Sequence, residues 1–170
     1  LEFASNIRIA CQFIEDDPDI RVALFMGTGD NFCSGRSEIP LEITEGTIEE
    51  LSEWITAIRV ADHIATLSVP VVMAINGNAT DHGLELALAG DIRIAQPNIQ
   101  LGLTDINKGI LSWDGGTQRL PRLIGVLPAL DAIVSGKPMT AEKAHELGLV
   151  DNLADDLDDL LEISVSVAHR

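Results

Sequence analysis

The run Val71-Val72-Met73-Ala74-Ile75-Asn76-Gly77-Asn78-Ala79-Thr80-Asp81-His82-Gly83-Leu84-Glu85-Leu86-Ala87-Leu88-Ala89-Gly90 changes character twice within twenty residues. Its first five residues are apolar, largely β-branched and preceded by Pro70, which predicts a short, fully buried strand over 71–75. Asn76-Gly77 is a turn signal. Residues 84–89 are then rich in helix formers, with no breaker before Gly90. A strand passing through a turn into a helix aims unpaired backbone N–H groups, and the positive end of the helix dipole, at whatever lies above the turn. Glu85 falls in the first turn of that helix. The stretch is therefore a candidate site for stabilising a developing oxyanion, with a carboxylate beside it.

The same alternation extends in both directions. Residues 22–26 read as a buried strand closed by Gly27-Thr28-Gly29-Asp30-Asn31, with a loop over 32–38. Thr47-Ile48-Glu49-Glu50 reads as a capping box opening a helix that buries Leu51, Trp54, Ile55, Ile58, Ala61 and Ala65 and ends at Ser68-Val69-Pro70. Residues 92–95 form a third strand, and 100–103 a short fourth. A βαβαβ series of this kind implies parallel strands, right-handed crossovers and a sheet covered by helices. Before it, Ile7, Ala10, Cys11 and Ile14 keep helical spacing up to Pro18. After it come helices around 129–134 and from Thr140 to Gly148, then a tail whose Asp155, Asp156, Asp158, Asp159 and Glu162 form an acidic helical face.

Bulk properties exclude several classes. With 170 residues, 46% hydrophobic and 22% charged, the chain predicts one packed domain and not a disordered segment. A net charge of −16 argues against nucleic acid or an anionic membrane as the main partner. Cys11 and Cys33 give no disulfide framework, and no apolar run approaches the length of a membrane span, so a cytoplasmic location is expected. The four histidines, His63, His82, His145 and His169, lack metal-ligand spacing, and Gly27-Thr28-Gly29 lacks the rest of a dinucleotide fingerprint. Neither a metal nor a cofactor is expected.

The motifs resemble the crotonase (enoyl-CoA hydratase/isomerase) superfamily. Asn76-Gly77-Asn78-Ala79-Thr80-Asp81-His82-Gly83-Leu84-Glu85-Leu86-Ala87 is similar to the family's Asn-Gly-x-Ala-x-Gly-Gly-Gly-x-Glu-Leu-Ala, with Asp81 and His82 replacing two glycines. Gly115-Gly116-Thr117-Gln118-Arg119-Leu120-Pro121-Arg122-Leu123-Ile124-Gly125 and the run from Ser135 to Val150 match further family segments in order and spacing. The resemblance covers about residues 4–154. It implies an α/β, crotonase-like fold of repeated ββα units, with a core domain over 1–154 and the start of a C-terminal helical region over 155–170. The family's N-terminal hairpin and the rest of its C-terminal helices have no counterpart in this sequence, which resembles a core trimmed at both ends.

The resemblance also implies a site. The family binds an acyl-CoA thioester and stabilises its enolate oxygen with two backbone N–H groups, which map here onto Arg36, in Cys33-Ser34-Gly35-Arg36, and onto His82. Removing such a donor typically costs ~3–4 kcal/mol of barrier. Glu85 and Asp105 align with the two hydratase acids, one acting as base on water and the other as acid toward the α-carbon. Asp114 is a third candidate carboxylate, because Ser112-Trp113-Asp114-Gly115-Gly116 is similar to the Ser-Phe-Asp-Gly-Gly run of dihydroxynaphthoyl-CoA synthase and related crotonases. Ser34, Gly35, Ser37, Gly83 and Trp113 are expected to contact substrate, Trp113 as a flat wall, and the adenine end of CoA to lie near 34–37. Two outcomes stay open for His82, whose side chain replaces a hydrogen atom: its imidazole lines the pocket as a catalytic group, or the turn is reshaped.

The leading expectation is hydration of an α,β-unsaturated acyl-CoA, dienoyl and cyclic ones included, with coenzyme A carried by the substrate. An isomerase or carbon–carbon hydrolase using Asp114 and His82 is the alternative within the superfamily. A catalytically silent crotonase-like protein serving as a binding or assembly module is the alternative from a different functional class. The family further implies a homotrimer or a hexamer built as a dimer of trimers.

Overall fold

The structure is a computed structural model and describes residues 2–35 and 45–169. Its core is two four-stranded sheets that the chain builds together. It opens with helix α1 (Glu2–Asp16), which turns Ala4 and Cys11 inward and carries Ile7 and Ile14 along the same stripe, and then enters strand β1 (Ala23–Met26). Strand β2 (Asn31–Cys33) follows, then helices α2 (Ile48–Ile58) and α3 (Ala61–Ala65). The second unit is β3 (Val71–Ile75), β4 (Asn78–Thr80) and α4 (His82–Ala87); the third opens with β5 (Ile92–Ala95) and β6 (Gln100–Gly102). A 3₁₀ turn (Asp105–Lys108) leads to α5 (Gly116–Ile124) and α6 (Val126–Ser135). Strand β7 (Met139–Thr140), α7 (Ala141–Glu146), β8 (Asn152–Leu153) and α8 (Leu157–Ala168) follow.

One sheet has the order β1-β3-β5-β8 and the other β2-β4-β6-β7. All pairs are parallel except the antiparallel pair β6–β7. In each of the three units the first strand joins one sheet and the second joins the other. Asn76, at the switch between β3 and β4, ties the two switch turns together: its Oδ1 accepts from Gly27 N at 2.8 Å and its Nδ2 donates to Gly29 O at 2.8 Å. Strand β3 is buried along its whole length, as an apolar run in the middle of a parallel sheet should be. Helix α8 lies over the other face of that sheet, where Leu160 joins Val72, Ala74, Ile94 and Ala154 in a second apolar cluster.

The expected parallel strands at 22–26, 71–75 and 92–95 are present, and so is the capping box. Thr47 N donates to Glu50 Oε2 at 2.7 Å while Glu50 N donates to Thr47 Oγ1 at 3.2 Å. Two expectations change. The helix expected to run unbroken from 48 to Ser68 stops at Ile58 and restarts at Ala61, so Val60 and Ile64 are buried and Ala65 is exposed. The segments 31–33 and 78–80, expected to be loop and turn, are short strands of the second sheet. Among the described residues, no helix is long and apolar enough to cross a membrane.

Candidate active site

Helix α4 begins directly after β4, so its first-turn N–H groups, His82 among them, have no acceptor within the helix. The approach of α4 to the end of β2 is close enough to require glycine. A Cβ placed on Gly83 would overlap the carbonyl oxygen of Cys33. Gly35, at φ +92, packs against Asp81, where an added Cβ would lie 3.2 Å from the aspartate's own Cβ. The segment that leads to residue 36 is therefore brought against the turn that carries His82. Arg36 and Ser37 themselves lie outside the described residues. Ser34 is exposed beside them.

Glu85 is only 2% exposed. Its Oε1 accepts three bonds: from Ser112 Oγ at 2.5 Å, from Asp114 N at 2.6 Å and from Gly116 N at 3.0 Å. The last two are donors at the start of α5, a helix end where a carboxylate is favoured by both hydrogen bonding and the dipole. Glu85 borders a narrow, partly open recess with room for little more than one water molecule. Asp81 and Asp105 border the same recess, together with Ser112. Its walls are otherwise apolar: Leu103, Ile106, Ile110, Leu111, Ile133 and Trp113. Trp113 stacks edge-to-face on Trp54, with ring centroids 5.8 Å apart. Asp105 is paired with Lys108 at 2.9 Å, and its side chain is 25% exposed.

The other two sequence candidates sit elsewhere. Asp114 is fully buried, and neither it nor His82 lines the recess. Its Oδ2 accepts from Val60 N at 2.9 Å and Ala61 N at 3.2 Å, and lies 2.8 Å from His82 Nε2. Arg59 Nε is 3.6 Å from Oδ1. Burial alone would raise the Asp114 carboxyl. The bond to His82, the two amides and the charge of His82 outweigh it and hold the group down at about 2. Where the long helix breaks, this carboxylate takes up the N–H groups of Val60 and Ala61, which an unbroken helix would bond to carbonyls four residues back. The His82 imidazole, expected as one outcome to line the pocket, instead joins this buried pair and meets the Phe3 ring edge-on at 6.2 Å. Ser112 and Asp81 are site residues that the sequence reading did not single out. Ser112 carried a signal in its position before Trp113-Asp114-Gly115-Gly116; Asp81 was visible only as a departure from glycine.

The family model described as enoyl-CoA hydratase/isomerase matches residues 1–170. The chain belongs to that family. A putative enoyl-CoA hydratase/isomerase of Bacillus subtilis, YngF, is 40% identical over 154 residues, covering 89% of this chain and 58% of its own length. The alpha subunit of a fatty acid oxidation complex from Vibrio cholerae is 44% identical over 124 residues, 72% of this chain and 18% of that protein. A crystal structure of enoyl-CoA hydratase from Bacillus anthracis superposes with a TM-score of 0.87 at 34% identity, over 98% of this chain and 64% of that one. Pseudomonas aeruginosa DspI superposes with a TM-score of 0.88 at 29% identity, over 98% and 63%. The crotonase-like α/β fold is thus established; this chain spans 58% of YngF, 64% of the Bacillus anthracis enzyme and 63% of DspI, but only 18% of the fatty acid oxidation subunit.

Proposed function

We propose that the protein binds an acyl-CoA thioester and hydrates an α,β-unsaturated acyl group, with Glu85 and Asp105 as the acid/base pair. One observation carries this reading: Glu85 and Asp105 border a single recess whose other walls, apart from Asp81 and Ser112, are apolar. An enoyl group set at the mouth of that recess would present its β-carbon to a water held by one carboxylate and its α-carbon to the other. The first takes a proton from the water as the C–O bond forms, and the second delivers a proton to the α-carbon. The negative charge that builds on the thioester oxygen would meet the His82 N–H and, in this reading, the N–H of Arg36. Trp113, Ser34, Gly35, Ser37 and Gly83 would border the substrate, with CoA running past residues 34–37.

The burial of Asp114 and its engagement with His82, Val60 and Ala61 count against the isomerase or hydrolase alternative, which needs both groups at the reacting carbons. The homotrimeric or hexameric assembly implied by the family belongs to the same reading and is checked by sedimentation of the full-length protein. The activity is tested by following the enoyl absorbance of crotonyl-CoA with the full-length protein. Turnover that Glu85→Gln abolishes supports hydration. Binding of CoA without turnover of any enoyl thioester would leave a binding module in its place.

A further inference from the structure

Asp81 takes no part in the acid/base chemistry just described, yet its carboxylate is more completely engaged than that of Asp105. It stands at the entry to α4 with φ 55° and ψ −120°, a conformation that side-chain-bearing residues rarely hold. Only 7% of it is exposed. Its Oδ1 accepts from Thr104 N at 2.5 Å and from Asp105 N at 2.7 Å, and its Oδ2 accepts from Thr104 Oγ1 at 2.9 Å. Its own N–H donates to Gly102 O at 2.7 Å, at the end of β6. Every one of these bonds falls on the four residues that carry β6 into the 3₁₀ turn headed by Asp105.

We propose that Asp81 is a positioning residue for Asp105: its carboxylate clamps the Thr104-Asp105 backbone so that the Asp105 side chain stays at the recess. The strained backbone at Asp81 points the same way. Glycine would hold this conformation without strain, so the aspartate is kept against a local cost, and the bonds to Thr104 and Asp105 are what its side chain provides in return. Asp105 needs such a clamp. Its turn is only four residues long, its side chain is a quarter exposed, and it is paired with the exposed Lys108. Glu85 is held by three donors to its own carboxylate. Asp105 is held through its main chain.

The inference rests on the acid/base role of Asp105, and the experiment separates the two. Asp81→Gly removes the carboxylate and the backbone strain together, so loss of folding does not obscure the result. Asp81→Asn keeps a carbonyl acceptor for both amides and an amide that can donate to the Thr104 hydroxyl. In full-length protein, Asp81→Gly should raise hydrogen exchange at the Thr104 and Asp105 amides by about tenfold or more while the β3 amides stay protected. With crotonyl-CoA it should lower kcat by about tenfold with KM little changed, and Asp81→Asn should recover most of that loss. In an Asp105→Asn background the same glycine substitution should leave the residual kcat unchanged, because it acts through Asp105. Unchanged exchange at Thr104 and Asp105 in Asp81→Gly overturns the clamp, and an undiminished kcat loss in the Asp105→Asn background overturns its purpose. If the unaltered protein turns over no enoyl thioester, the proposed function fails, and the exchange measurement alone decides whether Asp81 holds the turn.

Discussion

Asp114 donates its backbone N–H to Glu85 Oε1 at 2.6 Å while its own carboxylate sits 2.8 Å from His82 Nε2. A single residue thus fixes the orientation of one candidate catalytic group through its main chain and anchors the start of α4 through its side chain. The two substitutions that distinguish this chain from the family's glycine-rich turn are both built into such supports: His82 into Asp114, and Asp81 into Thr104 and Asp105.

Replacing Glu85 by Gln keeps the shape of the side chain and an oxygen able to accept from Ser112, Asp114 and Gly116. The fold should therefore persist, with a stability change of about 1–3 kcal/mol at most. Enoyl-CoA turnover should fall by about 10²–10⁴-fold, the usual contribution of a positioned acid or base. Steady-state kinetics paired with a denaturant midpoint separate the two effects. A variant that loses stability and keeps turnover would remove Glu85 from the chemistry.

Asp114→Asn keeps an acceptor for the Val60 and Ala61 amides but gives up the charge that strengthens those bonds, and should cost about 1–3 kcal/mol. The pH dependence gives a sharper signature. The folded-state carboxyl lies at about 2, below the usual aspartate value of ~3.9. Its stabilising contribution is therefore fully present above the unfolded value, and it fades as the pH falls through about 2. Between pH ~4 and ~2 the difference in stability between the parent and Asp114→Asn should shrink steadily. A difference that stays flat across that window would mean the carboxylate is not held in its charged form.

Gly83→Ala should fail for steric reasons alone. The new methyl would overlap the Cys33 carbonyl oxygen, and backbone can give way only by parting β2 from α4. We expect a loss of about 1–3 kcal/mol, typical of overpacking at a tight contact. The measured turnover should fall further than the folded fraction does, because the same contact brings residues 33–35 to the His82 turn. Equal losses in both would confine Gly83 to a packing role.

Arg93 is 4% exposed, in β5, and its guanidinium donates to Leu149 O, Gly90 O and Asp91 O as well as meeting Asp151. Burial lowers its pKa, with Asp151 and Asp91 acting against that shift. Arg93→Met would leave those carbonyls without their buried donor, and a loss of about 3–5 kcal/mol is expected with kcat of the folded fraction unchanged. Thermal unfolding alongside active-site-normalised kinetics checks it.

What the sequence shows and what it hides follow from how far the controlling contacts reach along the chain. Strands 71–75 and 92–95 are apolar runs readable within five residues, and the caps at Thr47 and Thr140 are formed by bonds spanning three. At the break between α2 and α3, Val60 N finds its partner 54 residues away, in the Asp114 carboxylate. Nothing local in Arg59-Val60-Ala61 announces it. Most of the second sheet is equally hard to see: residues 100–103 read as a short strand, but β2, β4 and β7 are two or three residues long and too short to display a period. At the site, Glu85, Asp105 and Trp113 were legible by motif, and the recess does bring them together. Asp81 and Ser112 act on partners distant in sequence, and only the folded chain shows which partners those are.

The alternation of strands between sheets has a consequence for biosynthesis. Of the described strands, a nascent chain released from the ribosomal tunnel as far as α4 would contribute β1 and β3 to one sheet and β2 and β4 to the other. Two-stranded sheets are marginal on their own. Both would mature together once β5 and β6 emerge, so arrested chains ending near residue 90 should be degraded readily by protease, while chains extended past 154 should resist.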